Sequence, residues 1–402
     1  MTHEIYCQCH LNNTYHDTWS LCSVLSSPFT TTNTMDVIRT RPVSYWIAVW
    51  ISILYIPSSI SAMSLGATTQ QRAARIAVIG GGAAGLSSAR VFTRNGDQNC
   101  VVSVFEKNSN VGGVWNYQEG KDASKTWPMY RGLRTNLPKE VMAFREFPWP
   151  PKETSFLTHK EVQQYIEQYK QKFDIHVQYE SKVKHLKLNE KEPSCFSCQG
   201  KTEVWPQIEL TVASRDDKGN SQESKESFDA VVIANGHYAL PSIPDLQGLK
   251  EHYSGRIVHS IEYDDPNEFR GQTVLCIGAR ASGSDLAREI VQAGANHVYV
   301  SDSTLQTGEF HTRDGVTWVP RTNAVLPGGK IQFDHDCPLQ PNDIDTIIFC
   351  TGYDYSFPFI DESSGDLSVT TDNRRVTPLF GKFPRNEEYE HNSFGAKDPK
   401  FS

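Results

Sequence analysis

The sequence predicts an α/β fold with two three-layer units, each built on a mostly parallel sheet. Two short apolar runs, residues 75–79 (RIAVI) and 273–277 (TVLCI), each end in a glycine-rich turn that opens a helical segment. Each helical segment is followed by another apolar run, at 101–105 and at 297–300. Strand, helix and strand at that length form a right-handed unit with its two strands parallel. This unit, used twice, is the internal repeat of the chain.

The elements follow in order. Residues 85–94 read as the first helix, 101–105 as the strand after it, and 161–172 as a helix without a breaker. From 182 to 228 the pattern alternates, is rich in charge and is interrupted by turn residues. That predicts an antiparallel meander with a long exposed excursion around Cys195 and Cys198. Residues 228–233 form a buried strand. Residues 273–277, 282–292 and 297–300 form the second strand–helix–strand unit, and 345–349 a late strand ending at Thr351 and Gly352. The expected boundaries are an N-terminal extension over 1–74, a first unit from 75 to 236, and a second unit inserted over 237–344. Residues 345–402 return to the first unit, incompletely, and end in a polar tail.

At 402 residues the chain accommodates two domains, and its 38% hydrophobic and 21% charged content is that of a globular protein. A net charge of -8 and the lack of a basic stripe argue against a nucleic-acid partner. Of nine cysteines, Cys195 and Cys198 alone have metal-like spacing, and no second pair completes a zinc site. Residues 43–56 (VSYWIAVWISILYI) carry no charge, follow Arg39 and Arg41, and precede the small-residue stretch 58–62. The run is short of the roughly 20 residues of a membrane span and has the layout of a secretory signal over 39–62, cleaved near Ser61 or Ala62. A short signal anchor or a buried hydrophobic helix are the alternatives. Translation from Met35 would give this signal an ordinary position, so the residues before it read as an alternative start.

The first turn is Gly80-Gly81-Gly82-Ala83-Ala84-Gly85, a G-x-G-x-x-G pattern between a strand and a helix. Gly80 permits the tight turn, Gly82 lets a pyrophosphate approach the backbone, and Gly85 lets the helix pack on the strand. The helix N-terminus offers N–H groups and a positive dipole end to the phosphates. Glu106, at the end of the next strand, is placed to accept from ribose hydroxyls and disfavours a 2′-phosphate, so this site suits FAD or NAD over NADP. The two units are therefore expected to be Rossmann-like dinucleotide-binding domains. Gly112 and Gly113 let the backbone run beside a flavin, with Val114 next to them and Trp115 covering it; a glycine turn with a core tryptophan is the alternative.

With these residues in place the chain resembles the flavin-containing monooxygenase family, insect members included, over residues 75 to about 380. Residues 133–140 (LRTNLPKE) look like the family segment that supplies an asparagine beside the flavin. Residues 253–263 (YSGRIVHSIEY) resemble the fingerprint F-x-G-x-x-x-H-x-x-x-(Y/F), with Tyr253 for the leading Phe. Residues 278–283 (GARASG) stand where the family has its NADPH turn, and 349–353 (FCTGY) match its F-A-T-G-Y strand end. The resemblance implies an N,N-dimethylaniline monooxygenase type of enzyme active in xenobiotic metabolism. NADPH would reduce FAD, O2 would form a C4a-hydroperoxyflavin, and a small-molecule amine or sulfide would take the distal oxygen. Asn136 is the expected catalytic polar group, with Thr135 sharing the nicotinamide contact. Gly278, Arg280, Ser282, Gly283, Ser284 and Asp285 are expected to line the second turn.

The chain departs from the family in three places. Arg280 replaces the middle glycine of the second turn, where it either crowds the pyrophosphate or reaches a phosphate with its guanidinium. The strand after the second helix ends in Ser301-Asp302-Ser303, without an arginine for a 2′-phosphate, so NADH is a candidate beside NADPH. Residues 381–402 are polar and hold no apolar run for a C-terminal membrane anchor, where the family continues with a segment that closes the active site. A truncated, catalytically silent or uncoupled flavin-binding relative is one rival reading. A Baeyer–Villiger monooxygenase is another, weakened because its fingerprint has Trp where this chain has Tyr263.

Overall fold

The computed structural model describes residues 52–54, 72–94, 100–119, 128–151, 154–198, 201–215, 220–305, 310–334, 337, 343–360, 369–372 and 375–378. The expected polar tail 381–402 lies outside these residues, as does the signal-like segment 39–62 apart from its residues 52–54. Among the described residues no helix is long and apolar enough to cross a membrane.

The first sheet contains β1 (Ser52–Leu54), β2 (Ala74–Ile79), β3 (Cys100–Phe105), β4 (Val177–Gln178) and β8 (Ala230–Ile233), in the order β1-β8-β2-β3-β4. The pairs β8–β2, β2–β3 and β3–β4 are parallel, and β1 is an antiparallel edge. Alternation along β2 sends side chains to both faces of the sheet. Ile76 and Val78 join Leu86 of helix α1 (Ala83–Thr93) and residues of a later helix, whereas Ala77 and Ile79 join Leu186, Leu210 and Phe228. The second set comes from an antiparallel meander, β5 (Lys182–Cys198), β6 (Lys201–Arg215) and β7 (Ser221–Phe228). Helices thus cover one face and a β-layer the other, which is why β2 reads as a continuous apolar run.

The excursion expected around Cys195 and Cys198 is built as a paired hairpin. The backbone stays paired, Cys195 opposite Val204 and Cys198 opposite Lys201, so the pair sits at the tip of a long hairpin. The registry shifts between Asn189 and Pro193, where proline cannot donate to the ladder.

Short helix α2 (Lys139–Met142) precedes α3 (His159–Lys172), whose start is closed by a capping box: Thr158 accepts from the Glu161 N–H while Glu161 accepts from the Thr158 N–H. Beyond β9 (Leu240–Pro241) and α4 (Leu249–His252), the second sheet collects β10 (Arg256–His259), β11 (Thr273–Ile277), β12 (His297–Ser301), β13 (His311–Arg313), β14 (Val316–Val319) and β17 (Thr346–Phe349). Its order is β10-β17-β11-β12-β14-β13. Helix α5 (Ala281–Gln292) covers one face, packing Leu286 and Ile290 on Val274 and Cys276. The other face is covered by the hairpin β15 (Thr322–Leu326) and β16 (Lys330–Phe333), which packs Val325 and Ile331 on Leu275.

This corrects the boundary expected at residue 345. Strand β17 pairs with both β10 and β11, so the second unit runs through Phe349. After β18 (Tyr353–Asp354), paired with β9, the chain reaches the first core at Phe357 and Phe359, where Phe359 accepts the Leu186 N–H. Strand order in a parallel sheet is set by tertiary packing, and a lone apolar run does not announce which sheet it joins.

Candidate functional site

The two glycine turns have the same build. Gly80 and Gly278 adopt φ of +110° and +109°, a region open to glycine, and a Cβ would lie 2.4 Å from the Ala234 oxygen or 2.5 Å from the Cys350 oxygen. Gly80 donates to the Phe105 carbonyl and Gly278 to that of Ser301, each turn thereby gripping the neighbouring strand. Gly85 and Gly283 face inward, where a Cβ would meet the carbonyl oxygen of Gly80 or Gly278 at 1.8 Å. They set the helix against the turn from beneath.

The middle positions differ in chemistry and agree in shape. Gly82 has φ -79° and ψ -177°, and Arg280 has φ -76° and ψ -165°. An extended backbone needs no glycine, so the arginine is accommodated without strain, and the exposed guanidinium has no partner among the described residues. Each of these residues is the N-cap of its helix and provides no side-chain cap. Helices α1 and α5 thus keep free N–H groups and an unopposed positive dipole end, whereas α3 is fully capped.

The structure brings the second glycine pair onto the first turn. Gly112 donates to the Gly81 carbonyl, and the Cα of Gly113 faces Gly82 with no side chain between them, a Cβ on Gly82 meeting it at 3.5 Å. Gly112 and Gly113 both have positive φ, which leads into a 3-10 turn of Gly113, Val114 and Trp115. Trp115 is half-buried and packs against the first core. Glu106 is 3% exposed; its Oε2 accepts the Gly81 N–H at 2.7 Å and its Oε1 accepts from the Asn108 backbone and side chain. Burial pushes its carboxyl above the usual range, partly offset by these donors from Asn108 and Gly81. Ala83 and Ala84 form the open first turn of α1 beside it. Uncapped N–H groups, two bare backbones and a carboxylate at the strand end are the donor set a flavin dinucleotide requires, and the first turn fits it.

At the second turn Ser282 is exposed at the start of α5. The Ser284 hydroxyl, expected to line the pyrophosphate, instead donates to the Ala279 carbonyl at 2.8 Å, so it shapes the turn from within, as Gly283 does. Asp285 is half-buried, burial raises its carboxyl, and Arg288 one helical turn on lies 3.7 Å away.

A strap over residues 130–136 joins the two units. Tyr130 and Leu133 belong to the second core, with Tyr130 edge-on to Tyr263 at 5.1 Å. Tyr263 donates to Glu289 of α5 at 2.8 Å, and Gly132 leaves room for that carboxylate. At its other end Thr135, 5% exposed, donates its N–H to Leu157 of the first core and accepts the Leu157 N–H on its hydroxyl at 3.0 Å. Asn136 follows directly and is exposed. Arg131 pairs with Asp265 at 2.9 Å, and Tyr117 donates to the buried Asp264. Tyr130, Arg131, Asp264 and Glu289 were not singled out by sequence reasoning, because their role depends on which surfaces meet.

The fingerprint histidine links two motifs. His259 Nδ1 accepts the Ile261 N–H and Nε2 donates to the Gly352 carbonyl at 3.0 Å, tying residues 253–263 to the 349–353 strand end. Gly352 also accepts the Ser242 N–H, and the Thr351 hydroxyl donates to the Ser242 carbonyl. Burial lowers the His259 pKa, opposed by the bond to Gly352 and by Glu262.

Residues 73–313 match the family model "Flavin-binding monooxygenase-like". The chain is 32% identical over 337 residues to the flavin-containing monooxygenase FMO GS-OX5 of Arabidopsis thaliana, covering 78% of this chain and 67% of the relative. It is 34% identical over 327 residues to FMO GS-OX-like 2 of the same plant, covering 76% and 65%. Among solved structures, S-allyl-L-cysteine S-oxygenase from Allium sativum superposes with a TM-score of 0.63 at 30% identity, over 76% of this chain and 67% of that one. Tmm from Pelagibacter sp. strain HTCC7211 gives 0.59 at 29% identity, over 72% and 63%. The chain spans about two thirds of the length of these curated relatives. The match supports FAD and NADPH as cofactors and the α/β architecture of two dinucleotide-binding units. The chain belongs to the family of flavin-binding monooxygenases.

Proposed function

We propose that this chain holds FAD at the first turn and a nicotinamide dinucleotide, NADPH as in the family, at the second, and oxygenates soft nitrogen or sulfur nucleophiles. The observation that carries this reading is the pair of uncapped helix N-termini, each above an inward-facing glycine, in units joined by the strap that bears Asn136. The likeness to an S-oxygenase supports sulfur as one acceptor.

When bound, FAD would supply the redox chemistry that couples oxidation of the nicotinamide to oxygenation of the substrate by O2, the second oxygen atom leaving as water. The protein binds, orients and excludes water. The N–H groups at the start of α1 would take the flavin pyrophosphate, Glu106 would accept from ribose, and Trp115 would lie beside the flavin. Thr135 is fixed to Leu157, and the exposed Asn136 next to it would offer its amide to the reacting oxygen.

The test is a stoichiometry. Purified protein with FAD is given NADPH and O2 with a thioether or a tertiary amine, and product is counted against NADPH consumed. One oxygenated product per NADPH is expected. Flavin that NADPH reduces, with no oxygenated product from either substrate class, would sink the proposal. We also propose that residues 39–62 direct the protein into the secretory pathway, on the basic flank, apolar run and small residues of that segment. Expressed from Met35, the product should be shortened by cleavage near Ala62, which removes the antiparallel edge β1 and leaves the parallel strands β8, β2, β3 and β4; an intact cytosolic product would refute it.

A further inference from the structure

We infer that Asp302 takes the ribose hydroxyls of the dinucleotide at the second turn, so that this turn accepts NADH at least as well as NADPH. The inference rests on the second turn being the nicotinamide site.

The two turns define equivalent positions. Gly80 donates to Phe105, the last residue of β3, and Glu106 comes next; Gly278 donates to Ser301, the last residue of β12, and Asp302 comes next. The equivalence extends two residues further. Glu106 Oε1 accepts the Asn108 N–H at 2.9 Å and the Asn108 side chain at 2.7 Å. Asp302 Oδ1 accepts the Thr304 N–H at 2.8 Å and the Thr304 hydroxyl at 2.8 Å. In both units a side chain two positions on fixes one carboxylate oxygen.

The difference lies in the other oxygen. Glu106 Oε2 reaches the Gly81 N–H. Asp302 is one methylene shorter, and its Oδ2 has no hydrogen-bond partner among the described residues, although the residue is half-buried. A fixed, half-buried carboxylate at this position accepts from a 2′,3′-diol and opposes a 2′-phosphate. Two cations could offset that opposition. Arg280 lies exposed on the turn, and Arg321 follows β14, whose Val319 carbonyl accepts the Asp302 N–H at 2.8 Å. Neither guanidinium has a partner among the described residues. The carboxylate stands at the position equivalent to Glu106, whereas Arg280 is exposed on the turn and Arg321 lies two residues beyond Val319.

Binding of NADH and of NADPH to the FAD-loaded chain, measured without O2, tests this apart from turnover. The parent should bind NADH with a Kd equal to or below that for NADPH. Asp302→Asn and Asp302→Ser should weaken NADH about tenfold, as loss of a hydrogen bond to a charged group does, and leave NADPH unchanged or tighter. Flavin content and apo-protein melting check that both variants fold. A parent that binds NADPH tenfold more tightly than NADH overturns the inference, and loss of that preference in Arg280→Gln or Arg321→Gln would show which cation outweighs Asp302. An NADH-to-NADPH ratio unchanged in both Asp302 variants overturns it too. Retained FAD with no binding of either nucleotide instead overturns the assignment of the second turn.

Discussion

The two glycines of the first turn should fail in different ways, and the geometry says how. At Gly85 an added Cβ would lie 1.8 Å from the Gly80 oxygen and 3.3 Å from Val78 Cγ1. The obstacle at 1.8 Å is backbone, so helix α1 must retreat from the turn by more than an ångström. Overpacking of this kind costs about 1–3 kcal/mol. In a domain of this size that lowers the Tm by roughly 3–10 °C. At Gly82 the nearest atom to an added Cβ is Gly113 Cα at 3.5 Å, an ordinary contact, and the backbone is extended. Gly82→Ala should therefore leave the apo-protein Tm within about 1 °C, while its methyl fills the gap through which a pyrophosphate approaches. We expect flavin affinity to fall about 10- to 100-fold, or about 1.4–2.8 kcal/mol. The assay is differential scanning calorimetry of both apo-proteins, because bound flavin would itself raise Tm, followed by titration with FAD. If Gly82→Ala melts as early as Gly85→Ala, or binds FAD like the parent, the separation of packing glycine from ligand glycine is wrong.

Other outcomes follow from the same contacts. Thr135→Val removes the acceptor of the buried Leu157 N–H and should cost about 1–3 kcal/mol in urea unfolding, with Thr135→Ser restoring most of it. His259 has its pKa depressed in the folded state, so its contribution is present above the ordinary value of 6.5 and is lost as pH falls through the folded value. Unfolding curves at neutral and mildly acidic pH should show a steeper loss in the parent than in His259→Gln; equal slopes would refute this. Asp229 is fully buried, accepts the Arg75 N–H at 2.7 Å and pairs bidentately with Arg72, which is 43% exposed. Asp229→Asn should cost about 2–3 kcal/mol in urea unfolding, below the 3–5 of a fully buried pair, and an unchanged midpoint would count against the pairing.

The turns were legible because their demands are local. A positive φ at Gly80 and Gly278 and a close approach at Gly85 and Gly283 permit almost no other residue, and their spacing is visible in the chain. Arg280 looked like a departure because a side chain there was expected to crowd the pyrophosphate; its extended backbone holds the arginine without strain, so any effect of the side chain falls on the ligand and not on the fold. The place of β17 was not legible, since Thr346 to Phe349 are buried on both faces and would suit the centre of either sheet. The strap was legible only in part. Thr135 and Asn136 stood out by resemblance, whereas Tyr130 and Arg131 hold it through Tyr263 and Asp265, more than a hundred residues away. The antiparallel meander around Cys195 was legible from its alternation, whereas the register shift between Asn189 and Pro193 was not.

The central position of β17 also governs the order in which this protein can fold during synthesis. Strands β10 and β11 do not pair with each other; each pairs with β17, which is made last. Ile348 completes the core beneath α5, and Ile347 and Phe349 the core beneath the β15–β16 hairpin. Until those residues leave the ribosome, the second unit exists as a lone strand β10 beside a sheet of β11, β12, β14 and β13 whose inner edge is open. Such edges template pairing with other chains. A message cut short before codon 349 would thus release a finished helix α5 and a finished glycine turn on a body that cannot close, and its fate would be aggregation or proteolysis.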